Sequence, residues 1–427
     1  MATTYTVRPN QSMCDVIIQA TGSLETGMQF CRDNNVSITA VPDAGSVYKV
    51  SDAALALQDS GILQQFSQNG IIIGTLDATI TPPPASHVYN RVLTIDHTQC
   101  GSSDSSGFPV LVSITDTTLK TTANGGHVCR SDGADILFFT DAGGLTRLNW
   151  EIEFYDGAAE TLVAWVLLPI VSCTADTSFY MQYGDPGISV FSGGSAGSVW
   201  NSNYIVVYHL GSALTTDATI HGQDLSNINS VTQASGKIGG GAGFSSTLSQ
   251  SLICNMVSGL PEGSGERSMT CWFQMAADQQ QEFLGYGDDR GRGFYSRFAF
   301  FYAGSNDLCV EVSGASSNFS WTYDTNWHKI TAVLPSAATN LNQVVIYFDG
   351  LLQTVTSDSA TLLTSNWQLA LGQVPTYSTD LFFSGSLDEV RIMDKGISAD
   401  WEITEYNNQN NPGNIGAGGF ITYGGEY

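Results

Sequence analysis

The chain has 427 residues, with 15 Lys and Arg against 40 Asp and Glu and a formal net charge of −25. That balance excludes non-specific attraction to nucleic-acid phosphates or anionic membrane surfaces. Apolar residues make up 42% but charged ones only 13%, roughly half the usual charged share, and the length suits about two to four domains of turn-rich β-structure.

No run of about 18 apolar residues is present to insert into a membrane. Met1-Ala2-Thr3-Thr4-Tyr5 has neither the basic leader nor the apolar stretch of a signal peptide, so synthesis without signal-peptide export is expected. The eight cysteines, Cys14, Cys31, Cys100, Cys129, Cys173, Cys254, Cys271 and Cys309, contain no C-x-x-C pair, which argues against zinc and dithiol motifs. Reduced, mostly buried thiols are expected, with Cys100 and Cys129 the first pair to test for a disulfide.

In chain order, Thr4 to Val7 reads as a short strand. Asn10 and Ser12 offer N-cap oxygens to a helix that carries Met13, Val16, Ile17 and Ala20 on one face and ends at Gly22. Ser23 caps a second helix with Met28, Phe30 and Cys31, stopped by Asn34-Asn35. After the turn Asp43-Ala44-Gly45, Val47 to Val50 is a second strand. Strand, two short helices and strand, with Tyr5-Thr6-Val7 and that turn at the edges, resemble a LysM module of the kind found at the start of phage-tail-like structural proteins. The resemblance implies a docking piece or, on a sharper reading, a peptidoglycan-binding one. A helical patch from Ala53 to Phe66 and an apolar strand from Gly70 to Gly74 extend this adaptor over residues 1–80.

Thr81-Pro82-Pro83-Pro84 is extended and unable to join a central strand, so a linker is placed at 81–86. Over residues 87–192 the apolar period becomes two: Val92 to Ile95, Val110 to Ile114, Asp135 to Phe139, Trp150 to Tyr155, Val163 to Leu168 and Phe179 to Tyr183, with Gly and Asp turns between. This is an antiparallel sandwich pattern. Asp135 to Asp141, Trp150-Glu151-Ile152-Glu153, Ala164-Trp165-Val166 with Pro169, and Tyr183-Gly184-Asp185-Pro186 resemble an uncharacterised β-sandwich family. That family commonly precedes a laminin-G-like module in bacterial surface and phage tail proteins; the resemblance implies architecture, not chemistry.

A Gly/Ser linker is read at 193–203. Residues 204–410 contain Val206 to Leu210, Ser268 to Phe273, Trp327 to Val333, and Val345 to Phe348 before Asp349-Gly350, a type I′ hairpin signal. They close with Gly385 to Ile392 and a helix after Ser398. This order resembles the laminin-G-like, concanavalin A-like lectin/glucanase superfamily. Residues 411–427 are a Gly-rich tail, expected to drape over a partner or stay mobile. The fold class expected is mainly β, a small α+β LysM-like module followed by two antiparallel β-sandwich (jelly-roll) domains.

Glycoside hydrolysis needs two carboxylates facing one groove. Glu151 and Glu153 come nearest but lie outside the lectin-like module, and an exposed acidic strand face is expected there. No G-x-S-x-G elbow or phosphate-binding loop is present, and His209 and His328 are expected to pack or hydrogen-bond; Trp272, Trp327 and Trp367 are expected to be buried. The laminin-G resemblance implies a cation in an oxygen-rich loop, so Asp217 and Asp224, with Asp388 of the closing strand, are the candidate Ca²⁺ ligands. Tyr286, Tyr295, Tyr302, Trp321 and Tyr323 are candidates for stacking on sugar rings.

The expected function is that of a non-enzymatic structural protein of a virion or phage-tail-like particle, such as a fibre or head decoration, made in the bacterial cytoplasm. Its partners would be other particle proteins at the N-terminal module, a host-surface glycan at the lectin-like module, and its own copies in a homo-oligomer; nucleic acid and membrane insertion are excluded. Two alternatives remain: a cell-surface adhesin and a glycan-cleaving hydrolase.

Overall fold

The structure is a computed structural model describing residues 3–7, 11–21, 23–38, 42, 46–55, 62–63, 89–191, 193, 197–288, 296–375, 381–415 and 418–427. The chain divides into two compact units, Met1–Pro84 and Ala85–Tyr427. In the first, strands Thr3–Thr6 and Val47–Val50 pair antiparallel around helices Met13–Thr21 and Gly27–Asn34. Ser12 Oγ accepts the Asp15 N–H while the Asp15 carboxylate accepts the Ser12 N–H at 2.7 Å, the reciprocal exchange that starts a helix. Asn35, at φ 51°, ends the second helix. Val7, Met13, Val16, Ile17, Phe30 and Val50 form the core. The expected order of strand, helix, helix and strand is present, and the patch after Ser51 begins as the helix Asp52–Leu55. The expected caps at Asn10 and Gly22, the turn at 43–45, the strand at 70–74 and the linker at 81–86 lie outside the described residues.

The second unit is mainly β and antiparallel throughout its named strands. Its first sandwich pairs the sheet Leu137–Phe139, Thr177–Tyr183, Tyr89–Ile95 and Ile421–Tyr423 with the sheet Ser105–Thr115, Thr161–Val171 and Asn149–Asp156. Period-two burial builds its core from Leu93, Val110, Val112, Trp150 and Phe179. Here the tail departs from expectation. Phe420, Ile421 and Tyr423 are fully buried in this core, and Ile421–Tyr423 adds an edge strand to Tyr89–Ile95. The lectin-like segment is therefore inserted before the last strand of the first sandwich.

In the second sandwich, one eight-stranded sheet has Gln281–Gly287 and Arg297–Gly304 at its centre. The other runs Thr232–Ser235, Gly240–Phe244, Gly385–Met393, Arg267–Met275, His328–Leu334, Val345–Phe348 and Leu351–Leu352. Tyr204–Tyr208 also pairs with Gly385–Met393, beyond the end of Gly240–Phe244. Asp349 (φ 49°) and Gly350 (φ 74°) both take positive φ, as a type I′ hairpin requires.

Strand Gly385–Met393 carries a β-bulge. Thr270 pairs with Arg391 and Trp272 with Asp388, so two residues, Glu389 and Val390, oppose Cys271 alone. Glu389 sits at φ 49°, an uncommon value for a side chain with a Cβ. The bulge shifts the alternation: Leu387, Val390 and Ile392 all enter the core, while Asp388, Glu389 and Arg391 leave it on the opposite face.

That face is covered by helix Ala399–Asn410. Ser398 caps it by accepting the Trp401 N–H, and Asp400 and Glu402 in its first turn complement the helix dipole. The helix is polar nearly all round, a pattern suited to bridging two bodies. On one side Gln409 Oε1 accepts from Trp272 Nε1 at 2.6 Å, and Tyr406 stacks on Trp272. On the other, Trp401 packs edge-on to Phe108 and Thr404 Oγ1 accepts the Gly101 N–H. Asn408 both accepts the Leu111 N–H and donates to its carbonyl, and the Tyr423 hydroxyl does the same at Ser113. Side chains thus stand in for a strand along the free edge of Ser105–Thr115. The segment expected to link the sandwiches flexibly instead anchors them: Val199 and Trp200 are buried with Leu111, Val163 and Trp165 of the first sandwich and Tyr204, Val207, Ile238 and Met393 of the second.

Candidate functional site

Two regions of the second unit carry recognisable chemistry. The larger is a groove of about 750 Å³ at one end of the second sandwich, lined in part by Thr232, Ser245, Leu248, Gln274, Thr325 and Ser386. It lies where strands Gly240–Phe244, Arg267–Met275 and Gly385–Met393 meet the loop after Phe244. None of its described lining residues is charged. Leu248 is 60% exposed and gives the groove an apolar wall, while hydroxyls, amides and backbone groups supply neutral donors and acceptors.

The second region is the seam between the sandwiches. Glu151 Oε1 accepts from Trp200 Nε1 (2.7 Å) and faces His209 Nε2 at 2.9 Å. His209 Nδ1 lies 2.7 Å from Glu389 Oε1. The other Glu389 oxygen is 2.6 Å from Arg391 Nη2, whose Nη1 is 2.6 Å from Glu405. Lys329 then joins Glu405 at 2.9 Å and Glu402 at 2.8 Å. Acid and base alternate through Glu151, His209, Glu389, Arg391, Glu405, Lys329 and Glu402, from the first sandwich across the bulged strand to the helix. The Arg391 guanidinium also lies over the rings of Trp165 (4.4 Å) and Trp200 (4.7 Å).

Burial and pairing pull these groups in opposite directions. Burial lowers the pKa of His209, but Glu389, Glu151 and Glu153 outweigh it and hold the imidazole well above its usual value. Burial raises Glu389, yet His209 and Arg391 bring it below the usual carboxylate range. Glu153 is pushed up to about 8 by burial and by the Glu389 charge, and Asp388 well above the usual range by the same two causes. Six carboxylates (Glu151, Glu153, Asp388, Glu389, Glu402, Glu405) thus share the seam with three bases (His209, Lys329, Arg391). Two glycines permit the crowding: a Cβ on Gly236 would lie 2.6 Å from Asp388 Oδ2, and one on Gly239 2.8 Å from Glu153 Oε1.

The expected exposed acidic face at Glu151 and Glu153 is therefore corrected. The side chain of Glu153 is 3% exposed and that of Glu151 23%, because the outer face of their sheet is covered by the second sandwich. His209 does hydrogen-bond, as expected. The signal that could have located the seam was the density of charge within otherwise apolar strands, Glu151-Ile152-Glu153 and Asp388-Glu389-Val390-Arg391, in a chain poor in charge.

The proposed Ca²⁺ ligands are not assembled. Asp217 accepts the Val207, Thr219 and Gln223 N–H groups and the Thr219 hydroxyl, and Asp224 accepts the Asp217 N–H. Asp388 instead accepts the Ile238 N–H inside the seam. Among the described residues, the groups with ligand atoms within 4.8 Å of one another are Asp96, His97, Asp176 and Glu153, His209, Glu389. The Asp217 loop is a hydrogen-bonded staple, and its residues do not fit a calcium cage.

The expected sugar-stacking residues lie inward. Tyr286 and Tyr302 are fully buried and Trp321 is 8% exposed; Tyr323 is half-buried against the same core. The Tyr286 hydroxyl accepts from Arg267 and donates to Pro261, and that of Tyr302 donates to Asp278. The strand pleat turns Tyr286 and Tyr302 into the sandwich, while Trp321 and Tyr323, in the segment after strand Ser316–Ser320, pack against the same core. Tyr295 lies outside the described residues. Of the tryptophans expected to be buried, Trp272 is, whereas Trp327 and Trp367 are half-buried. All eight cysteines, Cys100 and Cys129 included, are free thiols.

Beside Trp321, His328 bridges Asp349 (2.7 Å) and Asp324 (3.0 Å). Burial lowers its pKa, but the two aspartates outweigh it and the net shift is upward. A raised histidine stabilises fully below its unfolded pKa of about 6.5, and the contribution fades as pH rises through the folded value. His328→Gln is expected to cost about 1 kcal/mol near pH 6 and progressively less at alkaline pH. Urea titrations across that range measure it, and a constant difference would contradict the pairing.

Residues 254–401 match the family described as the Concanavalin A-like lectin/glucanases superfamily, so the second sandwich contains a concanavalin A-like, lectin-type domain. Similar solved structures include domain 4 of AbnA, a GH43 extracellular arabinanase from Geobacillus stearothermophilus, in complex with arabinotriose. It has 16% identity and a TM-score of 0.37, over 48% of this chain and 98% of that one. The binding domain of Paraclostridial Mosquitocidal Protein 1 has 11% identity and a TM-score of 0.38, over 48% of this chain and 52% of that one. The binding domain of botulinum neurotoxin DC in complex with SialylT has 11% identity and a TM-score of 0.37, over 49% and 52%. The match spans about half the length of these toxin binding domains. No curated protein sequence matches the chain.

Proposed function

We propose that this protein is a surface-recognition component that binds a neutral glycan through the end groove of its lectin-type sandwich and carries out no reaction. The observation that supports this most directly is the groove itself: about 750 Å³, uncharged, with an exposed Leu248 beside hydroxyl and amide groups. A pyranose offers the same mixture, an apolar C–H face and a ring of hydroxyls. We place the chain on a virion or phage-tail-like particle, docked by its N-terminal module and repeated according to particle symmetry. Mass spectrometry of purified particles tests that placement; absence of the chain from them would end it.

Glycan-array binding by the full chain tests the groove. Thr325 is exposed at its wall, so Thr325→Trp is expected to fill it and weaken binding at least about tenfold with an unchanged melting temperature. Chelator is expected to leave binding intact, because no carboxylate is among the described residues that line the groove. Equal binding by Thr325→Trp would reject this site. The raised pKa of Glu153 beside a cavity is a feature that favours a hydrolase. Reducing-end release from bacterial polysaccharides that disappears in Glu153→Gln would replace the binding reading with that one.

A further inference from the structure

The seam holds more carboxylates than bases, and two of their oxygens, Glu153 Oε1 and Asp388 Oδ1, have no hydrogen-bond partner. Glu153 is buried, its Oε2 accepts from Trp165 Nε1 at 2.9 Å, and its Oε1 has no hydrogen-bond partner. That oxygen lies against Gly211 and Gly239. Glu153 lines a cavity of about 350 Å³ formed with Gly211, Gln233 and Gly239, and a second of about 160 Å³ formed with Glu151, His209 and Ser212. His209 Nδ1 faces both Glu389 Oε1 at 2.7 Å and Glu153 Oε2 at 3.7 Å.

We infer that Glu153, His209 and Glu389 form a binding site for one divalent first-row transition cation of the Zn²⁺ type, joining the two sandwiches. Two carboxylate oxygens and one imidazole nitrogen are a ligand set such ions accept. Bonds of about 2.0 Å in a tetrahedral site put ligand atoms about 3.3 Å apart. The 3.7 Å pair has to close by about 0.4 Å and the 2.7 Å pair to open by about 0.6 Å, the latter once the proton between His209 and Glu389 has left. The adjoining cavities have room for a water as fourth ligand.

Each ligand also has the outer partner that metal-binding side chains use for orientation. His209 Nε2 is held by Glu151 and the far oxygen of Glu389 by Arg391, while Glu153 Oε2, the oxygen that faces His209 Nδ1, itself accepts from the Trp165 indole. Binding is an exchange of cation for proton: any proton held by Glu153 or by His209 Nδ1 leaves to solvent as the ion enters. The imidazole stays neutral, with its remaining N–H directed at Glu151. Glu153 belongs to the first sandwich and His209 and Glu389 to the second, so the ion would act as a clasp between them.

The test uses the full chain, freed of metal by chelation, in a His97→Ala background that removes the exposed Asp96, His97, Asp176 group. Titration with Zn²⁺ alone is expected to show one ion per chain and a melting temperature raised by several degrees. Co²⁺ in its place is expected to give the visible absorption of a low-coordinate N/O site. Glu153→Gln, which keeps the shape of the protonated acid, should fold as the parent does and bind Zn²⁺ about 100-fold more weakly. Glu389→Gln is the second probe, read by the same Co²⁺ spectrum. No binding by the parent at micromolar Zn²⁺, or equal binding by Glu153→Gln, overturns the assignment. Neither result bears on the glycan groove, which shares no residue with this site.

Discussion

Replacing Arg391 with Met is expected to lower the unfolding free energy of the second unit by about 3–5 kcal/mol, the cost of breaking a buried ion pair from one side. Arg391 is 1% exposed and divides its guanidinium between Glu389 and Glu405, each at 2.6 Å. Met fills much of the same space but leaves both carboxylates without that partner inside the protein. Glu389 retains His209 and Glu405 retains Lys329, which keeps the loss within that range. Because Arg391 lies over Trp165 and Trp200, tryptophan emission should change with the denaturation midpoint. Arg391→Lys should fall between the two, since an ammonium cannot present a planar fork to two carboxylates. A loss under about 1 kcal/mol for Arg391→Met would mean that the alternating chain does not bind the sandwiches together.

Deleting residues 411–427 is expected to unfold the first sandwich. The deletion removes Phe420, Ile421 and Tyr423, all fully buried, and each large side chain withdrawn from a core costs about 2–5 kcal/mol. Three such losses reach the roughly 5–15 kcal/mol that a whole domain commonly has. The cut also frees the edge of Tyr89–Ile95 and takes the Tyr423 hydroxyl from Ser113. Limited proteolysis should then cleave within residues 89–191 well before the parent protein is cut there. Equal resistance in the truncated and full chains would show that the last strand is dispensable.

Much of the fold was legible because strands report their burial locally. Leu93, Val110, Val112 and Phe179 sit at the period-two positions that form the core, and Asp349-Gly350 forms the hairpin that its residue types require. The tail was not legible by the same logic. Ile421–Tyr423 is three residues long among Gly and Asn, too short for alternation to stand out, and its partner strand lies more than three hundred residues earlier. The site candidates failed for a related reason. Tyr286, Tyr302 and Trp321 look able to stack on a sugar by residue type alone, but strand pleat turns the two tyrosines inward and the segment after Ser320 folds Trp321 onto the same core.

The sequence by itself determined the mainly β class, the two sandwich segments and the concanavalin A-like character of the second. These rest on composition and on periodicities within a few residues. Only the tertiary structure decided that the second sandwich is inserted into the first and that helix Ala399–Asn410 joins them. It alone decided, too, that a bulge at Glu389 aligns Asp388, Glu389 and Arg391 with Glu151, Glu153 and His209. The physical reason is that a buried charge is tolerable only beside its partner. Here the partners stand on separate elements, 58 positions apart for Glu151 and His209 across the two sandwiches and 180 for His209 and Glu389, so no local pattern could have matched them.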